Sequence, residues 1–125
     1  MIIDSHQHVM LPPEKQVKLM EQAGLDKVIL FFTTPHPEKA RNYAEFEEEM
    51  TRLYQILGGK NSNKDNILRM KKGNEELLRS IKAYPDKFYG FGGLPLGLTL
   101  EENKSWIQND ILGNGLKGVG EFTLA

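Results

Sequence analysis

The stretch KVILFF, residues 27–32, puts five apolar residues in a row behind a single lysine. A run of that kind is the mark of a strand buried on both faces, and such strands belong to parallel sheets covered by helices. The segments around it alternate accordingly. MIIDSHQHV, residues 1–9, reads as a first strand with a β-branched start. PPEKQVKLMEQAG follows as a helix, with proline at its entry, Val17, Met20 and Ala23 at helical spacing, and Gly24 as its stop. A strand, a helix and a second strand form a βαβ unit.

Beyond residue 36 the helical signal is longer than a crossover needs. PEKARNYAEFEEEMTRLYQILGG places Tyr43, Met50, Leu53 and Leu57 on one stripe, and Tyr43, Phe46 and Tyr54 read most simply as its packing face. KNSNKDN is a polar loop with Asp65 or Asn66 as helix cap, and ILRMKKGNEELLRSIKAYPDKF resumes helix, with an interruption expected at Gly73. FYGFGGLPLG is a third strand, LEENKSWIQNDILGNG a further helix, and LKGVGEFTLA a fourth strand. The order predicts an α/β protein of about four parallel strands with interleaved helices, and a helical insert at about residues 38–72. A (β/α)8 barrel has twice as many strands and takes about 250 residues. This chain has 125.

Ligands gather at the carboxyl ends of strands in both open and closed parallel sheets. Two of the three histidines, His6 and His8, fall at the end of the first strand. Residues two apart in a strand share a face, so the pair presents two imidazoles to one point in space. Imidazole suits zinc and related cations, and a catalytic site needs a third protein ligand. Glu121, near the end of the fourth strand, is the candidate third. His36 follows the second strand on the same rim and is a candidate substrate contact. Asp4 reads as a structural hydrogen-bond acceptor. A formal charge of −1 and scattered basic residues point to neither nucleic acid nor membrane. The lack of cysteine excludes thiol chemistry and fits a reducing cytoplasm. No Walker-type phosphate loop or nucleophile elbow is present.

Three segments carry a family resemblance. IIDSHQHV resembles the I-D-x-H-x-H opening of the amidohydrolase superfamily. AYPDKFYGFGGLPLG is similar to the third-strand region of its amidohydrolase-related branch, and LGNGLKGVGEFTLA to that branch's fourth-strand segment. Glu121 is also similar to the metal-bridging glutamate of TatD-like nucleases, although GEFTLA lacks the aspartate that follows there and GLPLG lacks the third-strand histidine.

The resemblance implies the first half of a metal-dependent (β/α)8 hydrolase or decarboxylase barrel, with His6 and His8 as ligands to a divalent metal, zinc foremost, and a small-molecule substrate. The family's catalytic base lies on the eighth strand, so no catalytic base is assigned among these residues. Half a barrel exposes strand edges and an inner face. The expectation is therefore a homo-oligomer, or a chain that lacks its carboxyl-terminal half. The closing TLA, with no polar tail, reads as an interruption rather than an ending. The competing expectation is an inactive half-barrel that serves self-association or partner binding.

Overall fold

The computed structural model describes residues 1–59 and 62–122. Its elements run β1 (Ile3–His8), α1 (Pro13–Gln22), β2 (Lys27–Phe31), α2 (Tyr43–Leu57), α3 (Asn63–Ala83), β3 (Phe88–Gly92), α4 (Leu100–Trp106) and β4 (Gly118–Val119). The four strands form one parallel sheet in the order β1-β2-β3-β4. This is the arrangement of four consecutive units of a (β/α)8 barrel.

The apolar run of β2 is covered on one side only. Val28, Leu30 and Phe32 are buried under the helices with Val17, Met20, Met70, Leu77 and Trp106. Lys27, Ile29 and Phe31 alternate with them and are half-buried. On that second face Phe31 meets Phe91 edge-on at 5.5 Å, and Lys27 sits 4.9 Å over the exposed Tyr89 ring. The face that side chains of the other strands fill in a closed barrel is here the open side of a four-stranded sheet. That is the physical reason the double burial expected from sequence is half realised.

Glycine decides how closely the layers approach. A Cβ on Gly73 would fall inside the Phe32 ring, so its absence lets that ring lie against α3. The helix consequently runs through Gly73 without the expected break. Its N-cap is Ser62 rather than Asp65 or Asn66: the Ser62 hydroxyl accepts the Asp65 backbone N–H while the Asp65 carboxylate accepts the Ser62 N–H, so Asp65 completes the cap from the third position. In α3 the buried Asn74 pairs both its amide atoms with the backbone of Gly93, fixing the chain where β3 ends. Residues 60 and 61 of the expected polar loop lie outside the described residues.

Two further expectations change. The aromatic residues of α2 are not its packing face: the helix buries no residue, and Tyr43, Phe46, Tyr54 and Leu57 are exposed. The half-buried side of the helix carries Glu45, Glu49, Met50, Leu53 and Ile56, and there Glu49 accepts the His36 backbone N–H, while Arg52 is exposed. The fourth strand is short, pairing only Gly118 and Val119 with β3, and residues 123–125 of its expected span lie outside the described residues. Glu121 thus follows β4 rather than alternating within it.

Candidate metal centre

β1 does not run straight to its histidines. Its register against β2 shifts between Asp4 and Gln7. Within that irregularity the His6 N–H donates to the Asp4 carboxylate at 3.0 Å, and the Gln7 amide donates to the other Asp4 oxygen at 2.9 Å. Asp4 is therefore the structural acceptor expected from sequence. The His6 backbone N–H, then the Gln7 amide, hold its carboxyl below the usual carboxylate range.

The chain of amides continues into α1. Gln16, only 3% exposed, donates to the Gln7 side-chain oxygen at 3.0 Å and to the His8 carbonyl at 2.9 Å. Its own oxygen accepts the Met10 N–H at 3.1 Å. One buried glutamine thus clasps the backbone on both sides of Val9. Sequence reasoning missed it, although its signal was there: a polar residue on the same helical stripe as Met20, at a position that faces the core.

His8 is oriented from its far side. Its Nδ1 lies 3.2 Å from the Phe32 carbonyl, which can only accept, so Nδ1 carries the proton and Nε2 presents a lone pair. That is the tautomer a metal ligand requires. The His6 ring lies on the Phe31 ring, with centroids 4.6 Å apart and planes tilted by 31°.

These supports converge on one point. His6 Nε2 and His8 Nε2 are 3.2 Å apart, and the same Glu121 oxygen lies 3.4 Å from the first and 3.3 Å from the second. Ligand atoms on one tetrahedral ion at 2.0–2.1 Å stand about 3.3–3.4 Å from one another. The triangle therefore has the edge lengths that a divalent cation demands, and the donor set of two imidazoles and a carboxylate suits zinc. The three side chains are 47%, 44% and 41% exposed, so the cluster opens to solvent. Among the described residues no further histidine or acidic side chain joins them.

His36 lies elsewhere. It is buried, with Nε2 at 2.6 Å from Glu76 and Nδ1 at 3.0 Å from Glu38. Glu38 also accepts the Leu11 N–H at 3.2 Å. Both ring nitrogens are engaged by carboxylates, and no hydrogen bond or ion pair among the described residues links His36 to the His6–His8–Glu121 cluster. It lines a separate cavity between α2 and α3.

No protein-family model and no curated protein matches the sequence. Solved structures do. The chain is similar to a crystal structure of an amidohydrolase II, with a TM-score of 0.65 at 17% identity, over 95% of this chain and 39% of that one. It is similar to 2,6-dihydroxybenzoate decarboxylase from Rhizobium, with a TM-score of 0.63 at 16% identity, over 94% of this chain and 37% of the other. The same holds for a 2,6-dihydroxybenzoate decarboxylase complexed with 2,6-dihydroxybenzoate, at 0.61 and 15% over 94% and 38%. The chain spans about two fifths of the length of each, 37–39%. At these identities the shared property is the fold, a four-stranded portion of the amidohydrolase-type barrel.

Proposed function

We propose that this chain is part of a metal-dependent enzyme of the amidohydrolase-related kind, in which His6, His8 and Glu121 hold one divalent cation, zinc foremost. The observation that carries this reading is the triangle of ligand atoms with edges of 3.2, 3.3 and 3.4 Å. A cation held there supplies Lewis acidity, polarising a substrate oxygen and acidifying water. The chain's own groups do the positioning. The Phe32 carbonyl fixes the His8 tautomer, Phe31 carries the His6 ring, and Gln16 holds the backbone between β1 and α1. Glu121 brings a negative charge that offsets part of the cation's.

The substrate class is a small organic molecule with an oxygen that can be polarised. The reaction is hydrolysis or, as the name of the decarboxylase neighbour suggests, loss of a carboxylate. Asp4 is committed to His6 and Gln7, so it is not placed to serve as base. In the family that the chain resembles the base lies on the eighth strand, and the proton-transferring group is proposed to lie there. No helix among the described residues is long and apolar enough to cross a membrane. The cytoplasmic placement in this reading rests on the lack of cysteine.

The open sheet face bears on the second reading, self-association or docking of further protein. Ile3 and Tyr89 are exposed on the strands and Phe31 and Phe91 only half-buried, so four more strands or a second copy would cover apolar surface there. Sedimentation of the 125-residue chain tests this second reading, and a clean monomer at high concentration counts against it.

The metal reading is tested by elemental analysis of the purified chain beside a His6→Ala, His8→Ala double variant. Near-stoichiometric metal in the parent and its loss in the variant is the expected result. A folded parent that binds no zinc, cobalt or manganese on titration rejects the site.

A further inference from the structure

A cavity of about 640 Å³ lies between α2 and α3, floored by the loop after β2. It shares no residue with the His6–His8–Glu121 cluster, and its size is that of a small-molecule pocket. Its α3 wall presents Leu68, Arg69, Lys72 and Glu76, and its floor Thr34 and His36. Pro35, Ala40 and Ile56 add apolar surface.

Two buried polar atoms on this lining have no hydrogen-bond partner among the described residues: the Thr34 hydroxyl and the Arg69 Nε. Buried polar groups are ordinarily paired, and an orphan implies something that pairs with it. Burial also lowers the pKa of the Arg69 guanidinium, the mark of a cation held without a counter-charge.

The other lining charges are of both signs, and most of the carboxylates already have hydrogen-bond partners. Glu45 is bound by Arg41, Glu49 by Arg52 and the His36 N–H, Asp65 by Ser62, and Glu76 by His36. Among the described residues Glu48 is the one lining carboxylate without such a partner, whereas Lys39, Arg69 and Lys72 all lack one. By formal charge the lining holds five carboxylates and four cations, so the place for an anion is set by the Arg69 and Lys72 side of α3 and not by the net charge of the lining.

We propose that this cavity binds a small organic anion, a carboxylate or phosphate on an apolar body, with the Arg69 fork and Lys72 taking the anionic group and Thr34 donating to it. Arginine suits this role because its planar fork matches carboxylate and phosphate oxygens. The apolar body rests against Pro35, Ile56 and Leu68. The site is additional to the metal centre and does not depend on it.

The test is a nuclear magnetic resonance titration of the isotopically labelled chain with phenylacetate and with phenyl phosphate, using acetate and inorganic phosphate as probes without an apolar body. The expected result is millimolar or tighter binding of an aromatic probe, with shifts at the Arg69 Nε–H and at the Thr34 and Leu68 amides. Whichever aromatic probe binds more tightly identifies the anionic group. Arg69→Met is expected to weaken binding about tenfold or more, the value of a charge-assisted hydrogen bond. Lys72→Met, at an exposed position, removes a second cation without disturbing the packed face and is expected to weaken binding as well. Lys104→Met, whose lysine pairs with Glu101 on α4 and lies outside the cavity, should leave it unchanged. Saturation by none of the four probes, equal affinity in both cavity variants, or shifts centred on His6 and His8 would each overturn the proposal.

Discussion

The amide nitrogen of Gln16 lies 2.9 Å from the carbonyl oxygen of His8. A residue in the first helix thereby sets the backbone of a histidine in the first strand, while the opposite end of that histidine's ring is set by the carbonyl of Phe32. The candidate ligands are held from behind, His8 from two separate sides.

Replacing Gln16 by alanine should therefore do two things. It leaves the Met10 N–H and the His8 carbonyl without their buried partner, at a cost of about 1–3 kcal/mol in urea denaturation. It should also weaken zinc affinity about 10–100-fold, the range typical of lost outer-sphere support. Loss of stability with unchanged zinc affinity would confine Gln16 to the fold.

Zinc itself should stabilise the chain. At a free concentration about a hundredfold above its dissociation constant, a ligand that binds only the folded state adds about 2.7 kcal/mol. The expected outcome is a zinc-dependent rise in melting temperature that is abolished in His8→Ala and reduced in Glu121→Gln. Because imidazole ligates only when unprotonated, the rise should shrink as the solution is acidified.

Gly73 is a test of packing against propensity. Mid-helix glycine ordinarily costs about 1 kcal/mol relative to alanine. Here a Cβ would collide with the Phe32 ring, so Gly73→Ala should destabilise by about 1–3 kcal/mol. In a Phe32→Leu background the same change should become neutral or stabilising, a coupling that a double-mutant cycle measures directly.

The start of α4 gives a prediction in pH. Thr99 and Glu102 form a reciprocal cap, and the Thr99 backbone N–H, followed by its hydroxyl, holds the Glu102 carboxyl below its usual range. A carboxyl whose folded value is depressed stabilises fully above its unfolded value, near about 4.3, and loses that contribution as pH falls through the lower folded value. Glu102→Ala should lower stability at neutral pH and flatten its decline below about pH 4. Thr99→Ala should cost about 1 kcal/mol at neutral pH, where the whole cap is present. Thermal melts at a series of pH values read both.

Sequence alone determined the alternation of strands and helices, because hydrophobic period and helix punctuation are local properties. It also determined that His6 and His8 lie together at a strand end, since residues two apart cannot easily separate. The parity argument was incomplete even there: the register shift beside Asp4 and the clasp of Gln16 decide how the histidines present themselves. Tertiary structure alone decided the rest. Glu121 stands 113 positions after His8; parallel strands place both at the same end of the sheet, and the tertiary fold brings them to 3.3 Å although β1 and β4 are the outer strands of the order. The inward side of α2 was only partly legible in its pattern: Met50 and Leu53 are half-buried as their spacing indicated, whereas Tyr43 and Leu57 stay exposed and Glu49 turns in to accept the His36 backbone N–H. Whether the β2 run is covered on one face or two depended on how many strands surround it. A local pattern records that a residue can be buried; which neighbour buries it is a property of the assembled chain.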